Sequence, residues 1–106
     1  MSMNVFSKLK AYLMYRNAVI KANDAHRKDG QCYYVMMGAS GKKNLLIMDR
    51  VNFRQLKHKG YITPKAFVSD LQRECFYCTP YKNGYGELSN EVIEYKKQQF
   101  YKWFES

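Results

Sequence analysis

QCYYVMMGASGKKNLLIM, residues 31–48, reads as the sheet-forming centre of the chain. Gln31–Met37 and Asn44–Met48 are apolar, aromatic runs of strand length, joined by a six-residue Gly/Ser/Lys connection. The pattern predicts an antiparallel hairpin. A hairpin with one face in water alternates apolar and polar residues. Here Tyr34 and Met36 alternate with Tyr33, Val35 and Met37, and the return strand is Leu-Leu-Ile-Met, so both faces are apolar. Either helices cover both faces, or one face meets another chain.

The flanking segments supply helices. Placed on a helix, residues 4–22 gather Val5, Phe6, Leu9, Tyr12, Leu13, Val19 and Ile20 on one face, and this stripe is expected to dock on the sheet. Ser7, Lys10, Asn17, Ala18 and Lys21 take the other face, and Gly30 ends the helix. Arg16, Asn23 and Arg27 continue the apolar line as a polar seam, expected to pair with Glu residues of the last helix.

After the hairpin, Asp49 or Asn52 caps a short helix carrying Phe53 and Leu56, stopped at Gly60. Thr63-Pro64 reads as N-cap and first residue of another helix, with Phe67, Val68, Leu71 and Cys75 inward. Phe76–Thr79 extends that helix or forms a third strand, and Tyr81–Gly86 is a loop. Ser89 opens the last helix, with Val92, Ile93, Phe100, Trp103 and Phe104 on one face. The order α-β-β-α-α-(β)-α is an α+β class: a hairpin or three-stranded antiparallel sheet packed by N- and C-terminal helices. At 106 residues it is expected to be one domain, 1–106.

Composition narrows the partners. The net charge is +9, with thirteen Lys/Arg against three Asp in residues 1–65 and five against six acids in residues 66–106. The dense part is 42–65, where Lys42, Lys43, Arg50, Arg54, Lys57, Lys59 and Lys65 face Asp49 alone, with Tyr61 among them. Such a segment attracts nucleic acid or another acidic partner. The helix pair around Gly60-Tyr61-Ile62-Thr63 resembles a helix-turn-helix. That resemblance implies Lys65, Ser69, Gln72 and Arg73 at the bases and Arg54, Lys57 and Lys59 at phosphates. Bulky Leu56 before the turn, and Asp70 and Glu74 on the second helix, favour an ordinary helical corner instead.

Other chemistry is sparse. Gly38-Ala39-Ser40-Gly41-Lys42-Lys43 resembles a phosphate-binding loop, but its glycine spacing and Lys43 depart from that pattern, and a hairpin turn accounts for it. Cys75-Phe76-Tyr77-Cys78 is half of a zinc site, with Cys32, His26 and His58 as the only other donors of those types; buried structural thiols account for it better. His26 lies between Asp24 and Asp29 in a charged run expected to be solvated. No nucleophile–base, paired-carboxylate or H-E-x-x-H pattern is present, so neither enzyme activity nor a cofactor is expected.

Three cysteines exclude a complete internal disulfide framework and suit a reducing cytoplasm. Lys8, Lys10 and Arg16 interrupt every apolar run near the start, so neither a signal peptide nor a membrane span is expected. The first helix, basic and acid-free to Asp24, can lie on an anionic membrane surface, but its apolar arc is assigned to the core. The leading reading is therefore a non-enzymatic binding domain contacting nucleic acid through 42–65. The alternative is a protein-interaction module or homo-oligomer using the apolar hairpin and the aromatic last helix.

Overall fold

The computed structural model describes residues 4–38, 43–81, 84 and 86–106. Seven elements follow in order: α1 (Val5–Asp29), β1 (Tyr34–Met37), β2 (Leu45–Met48), α2 (Arg50–His58), α3 (Val68–Glu74), β3 (Tyr77–Cys78) and α4 (Asn90–Glu105). The strands form one antiparallel sheet in the order β2-β1-β3. Tyr34 lies opposite Met48 on one side and Cys78 on the other. This is the α+β class that the sequence predicts, with Phe76–Thr79 supplying the third strand.

Period-two alternation sorts the sheet between two cores. Val35, Leu45, Ile47 and Tyr77 turn toward α1 and α4, where Phe76 and Phe100 complete a buried cluster. Tyr34, Met36, Leu46, Met48 and Cys78 turn the other way, onto Phe53 of α2 and Leu71 of α3. Helices thus cover both faces of the hairpin. Two apolar faces were needed because there are two cores.

Local signals set most element ends. Asn4 Oδ1 accepts from Ser7 N–H, Asp49 Oδ1 from Asn52 N–H, and Ser89 Oγ from Val92 N–H, so three helices start on side-chain caps. At the end of α1, Gly30 adopts φ 73° and returns its N–H to His26 O at 2.7 Å, a conformation that a side chain would strain. Gly38 N–H donates to Asn44 O at 2.8 Å and closes the base of the hairpin connection. Residues 39–42, the rest of the suggested phosphate loop, lie outside the described residues.

Three sequence expectations fail. The first concerns α1. Its large apolar residues stay outside: Phe6 is 83 % exposed, Val5 78 % and Leu9 55 %, and Tyr12, Leu13 and Ile20 are exposed as well. Only Val19 of that stripe packs against the core. The buried face is Ala11, Tyr15, Ala18 and Ala22, largely opposite. Volume explains the choice. Phe100, Trp103, Phe104 and Tyr101 of α4, with Phe76, already fill this layer. Alanines let the α1 backbone approach them closely, and facing large against small fills the space at native density.

The second concerns Thr63-Pro64. It opens a turn, with Ala66 N–H on Thr63 O at 3.0 Å, and the helix starts five residues later, at Val68. Proline suits the second position of a turn as well as the first turn of a helix. The Asp70 carboxylate supplies the later start by accepting from Phe67 N–H at 2.8 Å. Phe67 has no side-chain acceptor, so only this half of a capping box exists. Phe67 itself is exposed rather than inward.

The polar seam also resolves differently. Asn23 accepts from Tyr77 OH at 3.0 Å, and Arg27 pairs with Asp24 on its own helix. Arg16 is exposed, and among the described residues no ion pair joins the seam to α4.

Candidate nucleic-acid interface

α2 is nine residues long and anchors itself by Phe53, which is buried, and Leu56, half-buried. Fixing those two on the sheet sends Arg50, Arg54 and Lys57, spaced four and three apart, along one neighbouring stripe. Arg54 is exposed. Arg50 is half-buried, with its guanidinium 6.0 Å from the Tyr81 ring and its Nε enclosed without a hydrogen-bond partner among the described residues. Lys57 reaches the connection to α3: its Nζ donates to Ala66 O at 2.7 Å and lies 5.2 Å from the Phe67 ring. Lys59, Lys65 and Tyr61 are exposed on that connection.

The remaining candidates part company with this group. Lys43 Nζ donates to Trp103 O at 2.8 Å and Ser106 Oγ at 3.0 Å, so it caps the end of α4 against the opposite core. Arg73 is paired with Asp70 at 2.5 Å and lies 3.8 Å from Glu74, which offsets its charge. Phe67 N–H first, and the Arg73 guanidinium after it, hold the Asp70 carboxyl below the usual carboxylate range. The Gln72 side chain is exposed beside them. Lys42 lies outside the described residues.

The helix-turn-helix geometry is absent. Residues 59–67 separate α2 from α3, where that motif has a turn of about three or four residues. Lys65 precedes α3 instead of riding on it, and α3 is only seven residues long. What remains is a cationic strip in chain order: Arg50, Arg54 and Lys57 on α2, then Lys59 and Lys65 on the connection that follows it.

The cysteines enter the second core together. Cys75 caps the end of α3, Cys78 lies on β3, and Cys32 leads into β1 with its thiol on Thr79 O at 2.9 Å. All three are free and buried. Hydrogen bonds to Cys32 and Cys75 push the Cys78 thiol up, and the same bonds hold those two thiols below their ordinary value against the opposing effect of burial. Among the described residues no group of three or more His, Cys, Asp or Glu is arranged to hold a metal ion. The charged run at 24–29 serves the end of α1: His26 Nδ1 meets Gln31 O at 2.7 Å, and Asp29 accepts from Gln31 N–H at 2.9 Å and from Tyr33 OH.

Sequence reasoning missed two features. Lys96 of α4 is buried at 8 % exposure, its Nζ donating to Gln72 O at 2.8 Å and Cys75 O at 3.0 Å. The spacing Ile93, Lys96, Phe100, Trp103 puts it on the inner stripe, a signal present in the sequence. The other is a groove of about 430 Å³ between the hairpin edge and the α2–α3 pair, lined by Met36, Met37, Leu46, Leu56 and Ile62, with Asp70 and Glu74 at its polar rim. No helix among the described residues is long and apolar enough to cross a membrane.

No protein-family model, curated protein or solved structure matches the chain.

Proposed function

We propose that this chain is a non-enzymatic binding domain that holds nucleic acid by its sugar–phosphate backbone, through α2 and the connection behind it. The observation that carries the reading is the cationic strip of Arg50, Arg54, Lys57, Lys59 and Lys65, with no carboxylate anywhere in residues 50–69. Guanidinium and ammonium groups spaced along a helix neutralise successive phosphates and release their counterions. Contacts of this kind position a protein without reading sequence. Exposed Tyr61 adds a face on which an unpaired base can stack. Three free thiols support residence in a reducing cytoplasm.

Fluorescence anisotropy with labelled duplex and single-stranded oligonucleotides, at several salt concentrations, tests the reading. Affinity is expected to fall steeply with salt and to vary little with sequence. Changing Arg54, Lys59 and Lys65 together to Gln should flatten the slope of log affinity against log salt by about three. Absence of binding even at low salt removes the proposal.

A protein-interaction or homo-oligomeric role is the second reading. The α4 aromatics Phe100, Tyr101, Trp103 and Phe104 pack inside the first core, and helices cover the hairpin faces. The open Met36–Met37 groove is what favours this role, since methionine-rich apolar clefts accept varied side chains. Light scattering over a range of concentrations separates the two: a strict monomer counts against self-association.

A further inference from the structure

We infer that the outer face of α1 is a docking surface for an anionic lipid bilayer, separate from the α2 strip. Val5, Phe6, Leu9, Tyr12, Leu13 and Ile20 are all large, apolar and exposed, and they share one side of a single helix. Their exposure is not a by-product of a missing core, because the same helix already docks by Ala11, Tyr15, Ala18 and Ala22. A helix carrying small residues inward and large apolar ones outward has two interfaces, and this fold occupies one.

Charge identifies the occupant. Residues 4–23 contain Lys8, Lys10, Arg16 and Lys21 and no acid. By helical periodicity Lys8 borders one edge of the apolar arc, while Lys10 and Lys21 border the other. The depression beside Lys8 and Tyr12 also holds Gln98, Tyr101 and Glu105, so α4 brings one acid to that edge. Lysines along both edges suit a helix lying in the plane of a membrane, where anionic headgroups flank it on either side. Arg16 falls within the arc. At a lipid interface its long side chain can extend to headgroup level, whereas a dry protein groove would have to bury the guanidinium with a matching acid. A second copy of this face would set the same four cations against each other.

The test uses the whole chain and sedimentation with vesicles of phosphatidylcholine alone or mixed with phosphatidylserine. Binding is expected only to the mixed vesicles. Phe6→Ser, Leu9→Ser and Leu13→Ser combined should lower it by more than about tenfold while far-UV circular dichroism stays unchanged, because these side chains are exposed and belong to neither core cluster. In parallel, Arg54→Gln with Lys59→Gln and Lys65→Gln should leave most of the vesicle binding in place. If the α1 variant binds vesicles as well as the parent does, attraction is general charge alone and the proposal falls. It also falls if neither vesicle binds, or if the apolar substitutions act only by dissolving a dimer. Oligonucleotide binding by the α1 variant reports separately on the α2 strip, so the two readings fail independently.

Discussion

Lys96 is the one charged side chain buried among the described residues, and its Nζ is hydrogen-bonded to carbonyls at the end of α3. A short helix ends with carbonyls that lack partners, and here Gln72 O and Cys75 O receive an ammonium from α4, with Arg73 O at 3.5 Å. The lysine therefore joins two elements that do not otherwise share a core cluster. Replacing it by methionine keeps the aliphatic stem but strands buried acceptors. Lys96→Met should cost about 3 kcal/mol in urea unfolding, and the exposed Lys102→Met about 0.5 kcal/mol or less. Equal, small effects would show that the carbonyls are satisfied another way. The residue was legible as one of an inner stripe; its partners were not, because carbonyls at a helix end carry no sequence signature.

α1 is the element on which sequence and structure divide most clearly. Its extent, its Asn4 cap and its Gly30 stop all follow from local chemistry. Its inward face does not. Counting large apolar residues selects Val5, Phe6, Leu9 and Leu13, yet close packing selects Ala11, Ala18 and Ala22. The two readings predict opposite mutational responses. With the alanine face inward, Ala22→Leu overpacks a fully buried position and should cost about 1–3 kcal/mol. Leu9→Ala removes an exposed side chain and should change stability by about 0.5 kcal/mol or less. Were the large stripe inward, Leu9→Ala would cost about 2–5 kcal/mol, and thermal denaturation of the pair distinguishes the cases. α3 teaches a similar lesson at smaller size. Thr63-Pro64 suits a turn and a helix start equally, and the Asp70 carboxylate on Phe67 N–H decides where the helix begins.

At the scale of the molecule, one three-stranded sheet is shared by two cores. Each strand sends alternate residues to opposite sides, so Tyr34 and Val35, both fully buried neighbours, belong to different clusters. Neither layer can be lost without removing half the side chains of the same strands. Unfolding is therefore expected to be a single transition, and the chain carries its own probes. Trp103, the sole tryptophan, packs against the first core, whereas Cys32, Cys75 and Cys78 all lie in the second. Tryptophan fluorescence and thiol labelling should report one midpoint in denaturant. Phe100→Ala, which empties the centre of the ring cluster, should shift both together by about 3–5 kcal/mol. Thiols that react well before the fluorescence changes would show that the layers melt independently.

What repeats or caps locally was legible in the chain: the hairpin and its two apolar faces, a helix opened by Asp49 or Asn52 and another by Ser89, the stop at Gly30, and the charge gathered in 42–65. These depend on chemistry within a few residues. Packing between elements set which side of α1 faces in, and which cations are tied to Ala66 O, Asp70 or the end of α4. Those outcomes depend on how much volume the other elements bring to one place, and on which buried carbonyls they leave there. No single stretch of chain holds that information.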